Sequence, residues 1–100
     1  MNNIIVHINK VFENRLRLGI MSLLMIHDKM DFLSMKEQLH ITDGNLATHI
    51  AALEKNKYVT VKKSFVGKKT NTIYNATATG RKAFKDHLDA LEELIKNNRS

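Results

Sequence analysis

The sequence predicts a mainly α chain with one small β-hairpin, an α+β fold in a single domain. Three observations predict it. Apolar residues recur at steps of three and four through most of the chain, the period of helices buried on one side. Between Tyr58 and Ala76 that period gives way to β-branched and aromatic residues alternating about Gly67. The length of 100 residues is enough to bury one core and too short for two, so residues 1–100 are expected to form one unit.

The elements follow in order. Asn3 to Lys10 carries Ile4, Ile5 and Ile8 at helical spacing, with Val11 and Phe12 beyond, and is expected to be the first helix. Leu16 to Ile26 is apolar nearly all round, as in a helix covered on most sides, centrally or under a partner subunit. Asp31-Phe32-Leu33 predicts a very short strand. Ser34-Met35-Lys36-Glu37 has the capping-box pattern, and the helix it opens is expected to end near His40. Thr42-Asp43-Gly44-Asn45 is a second start signal, with Thr42 or Asp43 as the cap. Leu46, Ile50 and Leu53 then mark an inner face, and Asn56 is the expected stop. Val59, Val61 and Phe65 alternate along one strand, a turn lies around Gly67-Lys68, and Thr70 to Ala76 returns. Thr77 is expected to cap a last helix running to Asn97. In it Phe84, Leu88, Leu91 and Ile95 form a coiled-coil-like stripe beside Lys85, Asp89, Glu92 and Lys96.

Composition narrows the function. Lys and Arg outnumber Asp and Glu by 16 to 10, giving +6 with neutral histidines and a pI near 9.7. That excess favours a polyanionic partner, nucleic acid or an anionic membrane surface. The absence of cysteine excludes disulfides, thiolate zinc sites and cysteine nucleophiles. The longest apolar run, Ile20 to Ile26, is too short to span a bilayer, and no cleavable signal pattern follows residues 4–8. A soluble, cytoplasmic protein without membrane contact is expected.

Two helices joined by a tight turn and followed by a basic hairpin give the order of a winged helix-turn-helix, with the helix pair at 34–56 and the wing at 58–76. In that arrangement the short helix braces the second, whose exposed face enters the major groove of duplex DNA. On a helical wheel Gly44, Thr48, Ala51 and Lys55 lie opposite Leu46, Ile50 and Leu53, with Asn45 and Ala52 beside them. Thr48 and Asn45 can hydrogen-bond bases or phosphates, the small residues allow close approach, and Lys55 suits a phosphate. The helix N-terminus offers free amides to another phosphate. An ordinary amphipathic helix with a solvated face fits the wheel equally well; the hairpin tips the balance. There Lys62, Lys63, Lys68 and Lys69 crowd around Gly67, repelling one another with no benefit to folding, and an adjacent phosphate backbone would supply the counter-charge. Lysines that guard a strand edge against aggregation are the competing account. His49 lies beside the inner face, where half-buried packing is expected. The candidate DNA contacts are therefore Gly44, Asn45, Thr48, His49, Ala52, Lys55, Lys62, Lys63, Lys68 and Lys69.

The stretch Leu39-His40-Ile41-Thr42-Asp43-Gly44-Asn45-Leu46-Ala47-Thr48-His49-Ile50-Ala51-Ala52-Leu53-Glu54-Lys55-Asn56, with Tyr58-Val59 after it, resembles the helix-turn-helix of small stand-alone winged-helix regulators of bacteria and archaea. These are related to the arsenical-resistance and multiple-antibiotic-resistance repressors. Arg15-Leu16-Arg17-Leu18-Gly19-Ile20-Met21 and Thr77-Ala78-Thr79-Gly80-Arg81 resemble the same family. The resemblance covers nearly the whole chain. It implies a transcriptional regulator that binds a pseudo-palindromic duplex site as a homodimer, pairing through its first and last helices, here 1–12 and 78–97. It also leaves a phosphate-holding or helix-bracing role open for His49. Family members often carry proline where Arg15 and Thr70 stand. A monomer would struggle to cover Ile4, Ile5, Ile8, Phe84, Leu88, Leu91 and Ile95 together; two-fold pairing would bury them and set two recognition helices ~34 Å apart.

Other chemistry finds little support. Five histidines, with Asp86-His87, Asp89 and Glu93 on the last helix, invite a metal site. The widely spaced acid and histidine pattern of metal-sensing relatives is missing, so these residues are expected to be a solvated helix surface. Gly67-Lys68-Lys69-Thr70 fails as a phosphate loop, because Lys62 stands where its upstream glycine belongs and Lys69 replaces the magnesium-holding hydroxyl. No active site and no cofactor are expected. The alternative function is a dimeric protein-interaction module that has the winged fold without specific DNA binding. An effector ligand cannot be read from the sequence.

Overall fold

The computed structural model describes residues 4–97, with the side chains of Ile4 and Asn97 left aside. Residues 1–3 of the expected pairing segment 1–12, and the Ile4 side chain, lie outside the described residues.

The N-terminal segment is not the continuous helix its spacing suggests. It forms two 3-10 turns, Ile4–His7 and Lys10–Glu13. Asparagine makes the breaks. Asn9 and Asn14 are extended, and each side chain accepts from backbone N–H groups just ahead: Val11 at 2.9 Å for Asn9, Leu16 at 2.9 Å and Arg17 at 3.1 Å for Asn14. Such bonds offer the backbone an alternative to the helical ladder. Helix α1, Arg15–Ile26, starts from the Asn14 cap, so the first segment and α1 are separate. Ile20, Met21 and Leu24 of α1 are fully buried, Leu16, Leu18, Leu23 and Met25 are half-buried, and Ile26 at its end is 76% exposed, so the helix is less covered than its nearly all-apolar sequence leads one to expect.

Strand β1 is Met30–Asp31 and helix α2 is Phe32–Leu39. The strand is shorter than expected, and the cap is Asp31 rather than Ser34. The Asp31 carboxylate accepts from the Ser34 N–H at 2.7 Å, placing the expected capping hydroxyl inside the first turn. An ionised acceptor at the positive helix end makes the stronger bond. α2 closes at His40, which is left-handed at φ 53°. Helix α3, Asp43–Lys55, begins from Thr42, whose Oγ1 accepts from the Asn45 N–H at 3.2 Å. A Lys36–Asp43 ion pair of 2.8 Å spans the turn between the two helices. At the other end Asn56 is the cap; the Tyr58 N–H donates to the Leu53 carbonyl and the Lys57 N–H to Glu54, a Schellman closure with Lys57 left-handed.

Strands β2, Val59–Val66, and β3, Lys69–Ala76, pair antiparallel from Val59 opposite Ala76 to Val66 opposite Lys69. Gly67, at φ 66°, takes the first central position of the two-residue turn, which suits a type II′ hairpin. β1 adds to the far edge of β3, giving the order β1-β3-β2. Thr77 accepts from the Gly80 N–H at 2.8 Å and opens helix α4, Ala78–Asn97.

One core joins these elements: Ile20, Met21 and Leu24 of α1, Met35 of α2, Leu46, Ile50 and Leu53 of α3, Val59 and Tyr74 of the sheet, and Phe84 of α4. Phe12 ties in the N-terminal segment, stacked on Tyr58 and edge-on to Phe84 with ring centroids 5.5 Å and 5.1 Å apart. The buried line of α4 runs through Phe84, His87 and Ala90, rotated from the stripe expected in the sequence. Leu88 and Ile95 of that stripe remain 44% and 60% exposed. Among the described residues no helix is long and apolar enough to cross a membrane.

Candidate nucleic-acid interface

α3 is anchored by Leu46, Ile50 and Leu53, so its opposite side is fixed outward. Gly44, Asn45, Thr48 and Lys55 are exposed there, together with Ala47 and Ala51. Its first two turns are narrow, with side-chain hydrogen-bonding groups at Asn45 and Thr48, and its last turn carries the exposed Glu54 carboxylate beside Lys55. The small residues of the first two turns can approach a base-pair edge closely. Ala52 and His49 are half-buried and flank the outward side rather than crown it.

His49 has a partner that no local pattern foretells. Its Nδ1 lies 3.2 Å from Arg17 Nη1, and Arg17 Nε donates to the Val11 carbonyl at 2.7 Å. Guanidinium has only donors, so Nδ1 is the acceptor and the imidazole is neutral with its proton on Nε2. Burial, and then the Arg17 charge, hold the His49 pKa below its ordinary value. Arg17 thus links the N-terminal segment, α1 and α3 in one polar chain.

In the hairpin Lys62, Lys63, Lys68 and Lys69 are all exposed. They do not share one face. Side chains alternate along a strand, and the inner face is identified by the pair Val61 and Tyr74, half-buried and buried. Lys63, opposite Thr72, and Phe65, opposite Thr70, continue that inner face, while Lys62 lies on the other side. A groove of about 630 Å³ runs between α3 and the hairpin, with Ala47 and Ala51 on one wall and Lys63 and Thr72 on the other. The small residues of α3 and one wing lysine therefore face the same space. Ala47 was not among the residues singled out by the wheel; only the position of the hairpin gives it a role.

Asp86, Asp89 and Glu93 of α4 are exposed, as expected of a solvated helix surface, and His87 is not. His87 is 3% exposed, its Nδ1 accepts from the Asn9 N–H at 3.0 Å, and its ring packs 5.4 Å from Phe12. It closes the N-terminal segment onto α4. Asp86 and Asp89 form exposed ion pairs with Lys82 and Lys85, at 2.7 Å and 3.0 Å. Among the described residues no group of three or more His, Cys, Asp or Glu is placed to hold a metal ion.

A family profile described as a winged helix DNA-binding domain matches residues 16–95. The chain belongs to this family. This winged-helix chain is 38% identical over 88 residues to an uncharacterized protein of Methanocaldococcus jannaschii, covering 88% of this chain and 96% of the other. It superposes on a transcriptional regulator homologue from Pyrococcus horikoshii with a TM-score of 0.81 and 31% identity, over 90% of this chain and 89% of that one. A MarR family transcriptional regulator from Streptomyces coelicolor, solved in complex with DNA, shares the fold at a TM-score of 0.68 and 17% identity, over 97% of this chain and 67% of its own. The family and fold of this winged-helix chain are those of DNA-binding regulators rather than of enzymes.

Proposed function

We propose that the protein is a cytoplasmic transcriptional regulator that binds a pseudo-palindromic DNA site as a homodimer, with α3 in the major groove and the lysine hairpin on the adjoining backbone or minor groove. The observation that carries this reading is the shared groove: the outward side of α3 and the inner face of the wing border one channel, with Lys63 on its wall. In this reading Thr48 and Asn45 read bases or hold phosphate. Lys55 and the wing lysines neutralise the backbone, and His49 steadies α3 through Arg17. Apolar surface left on Val6, Leu88 and Ile95 supports pairing through the N-terminal segment and α4.

Selection of bound duplexes from a genomic library, with the mass of the protein measured in solution, tests it. The expected result is a two-fold-symmetric consensus and a dimer mass, with Thr48→Ala changing base preference near the centre of each half-site by about fivefold or more. Recovery of an acidic protein partner, with no duplex affinity at ~0.1 M salt, would replace this reading with a docking module.

A further inference from the structure

The tip of the hairpin is apolar as well as basic. Phe65 is 77% exposed and Val66 65% exposed, next to Gly67, Lys68 and Lys69. Folding does not account for them. The hairpin outruns the core, and at about 3.3 Å per residue Phe65 lies ~13 Å beyond Val61, the last inner-face residue of β2 that packs against the core. Nor is the ring directed at random. Its register places it on the inner face, in line with Val61 and with Lys63, which lines the channel facing α3, and two residues beyond Lys63 toward the tip.

We infer that Phe65 is an apolar wedge that enters the minor groove of the bound duplex and bends it. The inference rests on the DNA-binding reading above and adds a residue to it. With α3 seated in a major groove about 12 Å wide, a tip reaching ~13 Å past the core stands over the adjoining minor groove. The phosphates on both sides of that groove supply counter-charge for Lys63, Lys68 and Lys69, drawing the phenyl ring inward. Apolar side chains pressed against a base step in this way partly unstack it and kink the helix toward the major groove. Protein surface on either side of the kink then gains backbone contact, and sequences with easily unstacked pyrimidine–purine steps at that position are favoured without any hydrogen bond to them.

The test uses the full chain and a duplex obtained by selection, with bending followed by energy transfer between dyes at the duplex ends. Wild type is expected to bend the duplex by about 20–90°. Phe65→Ala should leave it close to straight, bind about tenfold more weakly, and keep the wild-type salt slope because no charge is lost. Phe65→Leu should restore much of the bend. Each variant should melt at the wild-type temperature, since the ring is outside the core. Equal affinity and bend in wild type and Phe65→Ala, or a straight duplex with both, overturns the wedge and leaves the regulator standing. Failure of wild type to bind any duplex removes the regulator reading, and the wedge with it. Phe65-dependent binding to phosphatidylserine–phosphatidylcholine vesicles, with no effect of Phe65→Ala on DNA, overturns the wedge in favour of a lipid contact.

Discussion

At Gly80 the first turn of α4 meets the carbonyl of Tyr58 so closely that a Cβ there would overlap backbone rather than a movable side chain. The same carbonyl accepts the Thr77 N–H at 2.9 Å, so it cannot retreat without breaking the start of α4. Gly80→Ala would gain ~1 kcal/mol of helix propensity and lose more to the clash, so a net loss of about 2 kcal/mol is expected in urea unfolding. His87 gives a second residue-scale prediction. Burial lowers its pKa below 6.5, outweighing the opposing pull of Glu13. The unfolded chain therefore takes up a proton at higher pH than the folded one. The stability held by neutral His87 is complete above about pH 6.5 and declines as the pH falls toward the lowered folded value. His49 is shifted in the same direction, first by burial and then by Arg17. The melting temperature should fall between about pH 7.5 and pH 5.5, and fall less in His87→Gln, which retains an acceptor for the Asn9 N–H. A melting temperature that rises on acidification contradicts this. Neither His87 nor Gly80 shows its role in the sequence. A histidine three residues after Phe84 reads as helix surface until Asn9, 78 positions away, is seen to bind it.

The elements themselves were legible where their signals are local. Leu46, Ile50 and Leu53 recur within one helix, Thr42 and Thr77 accept from amides within a turn of themselves, and Asn56 donates to the Ala52 carbonyl a turn back, so the bounds of α3 and the start of α4 follow from the sequence. The signals failed where two competed. Asp31 and Ser34 are both good caps three residues apart, and the carboxylate took the position. Ile4, Ile5 and Ile8 have helical spacing, yet Asn9 and Asn14 turn the backbone aside. In α4 the apolar stripe is divided: Phe84 joins the core on the side through His87 and Ala90, and Leu88 and Ile95 stay outside it. What remains is an amphipathic strip with Leu88 and Ile95 outside, flanked by the exposed Lys85–Asp89 and Glu92–Lys96 pairs. If this strip is the pairing surface, Leu88→Glu with Ile95→Glu places four carboxylates across the two-fold axis in place of apolar contacts. The protein should then sediment as a monomer over the concentration range where the parent is dimeric, with helix content unchanged. A double variant that remains dimeric would move the interface elsewhere.

The molecule as a whole is long for its mass. Its radius of gyration is 15.4 Å, against about 13 Å for a compact chain of this length, and its greatest extent is 59 Å. The hairpin carries its lysines and Phe65 beyond the core, at no gain to the fold. Of the candidate site, the α3 side was legible because a wheel needs only one helix. The division of the lysines between two hairpin faces, the groove between helix and wing, and the Arg17–His49 link each needed the packing of separate elements.

Salt dependence of binding to a selected duplex measures the claim that wing and helix act together on one DNA surface. The account predicts that Lys68→Glu with Lys69→Glu weakens binding to every sequence alike and flattens the plot of log affinity against log salt by about one for each lysine that sits on phosphate. An affinity and slope identical to those of the parent chain would contradict it.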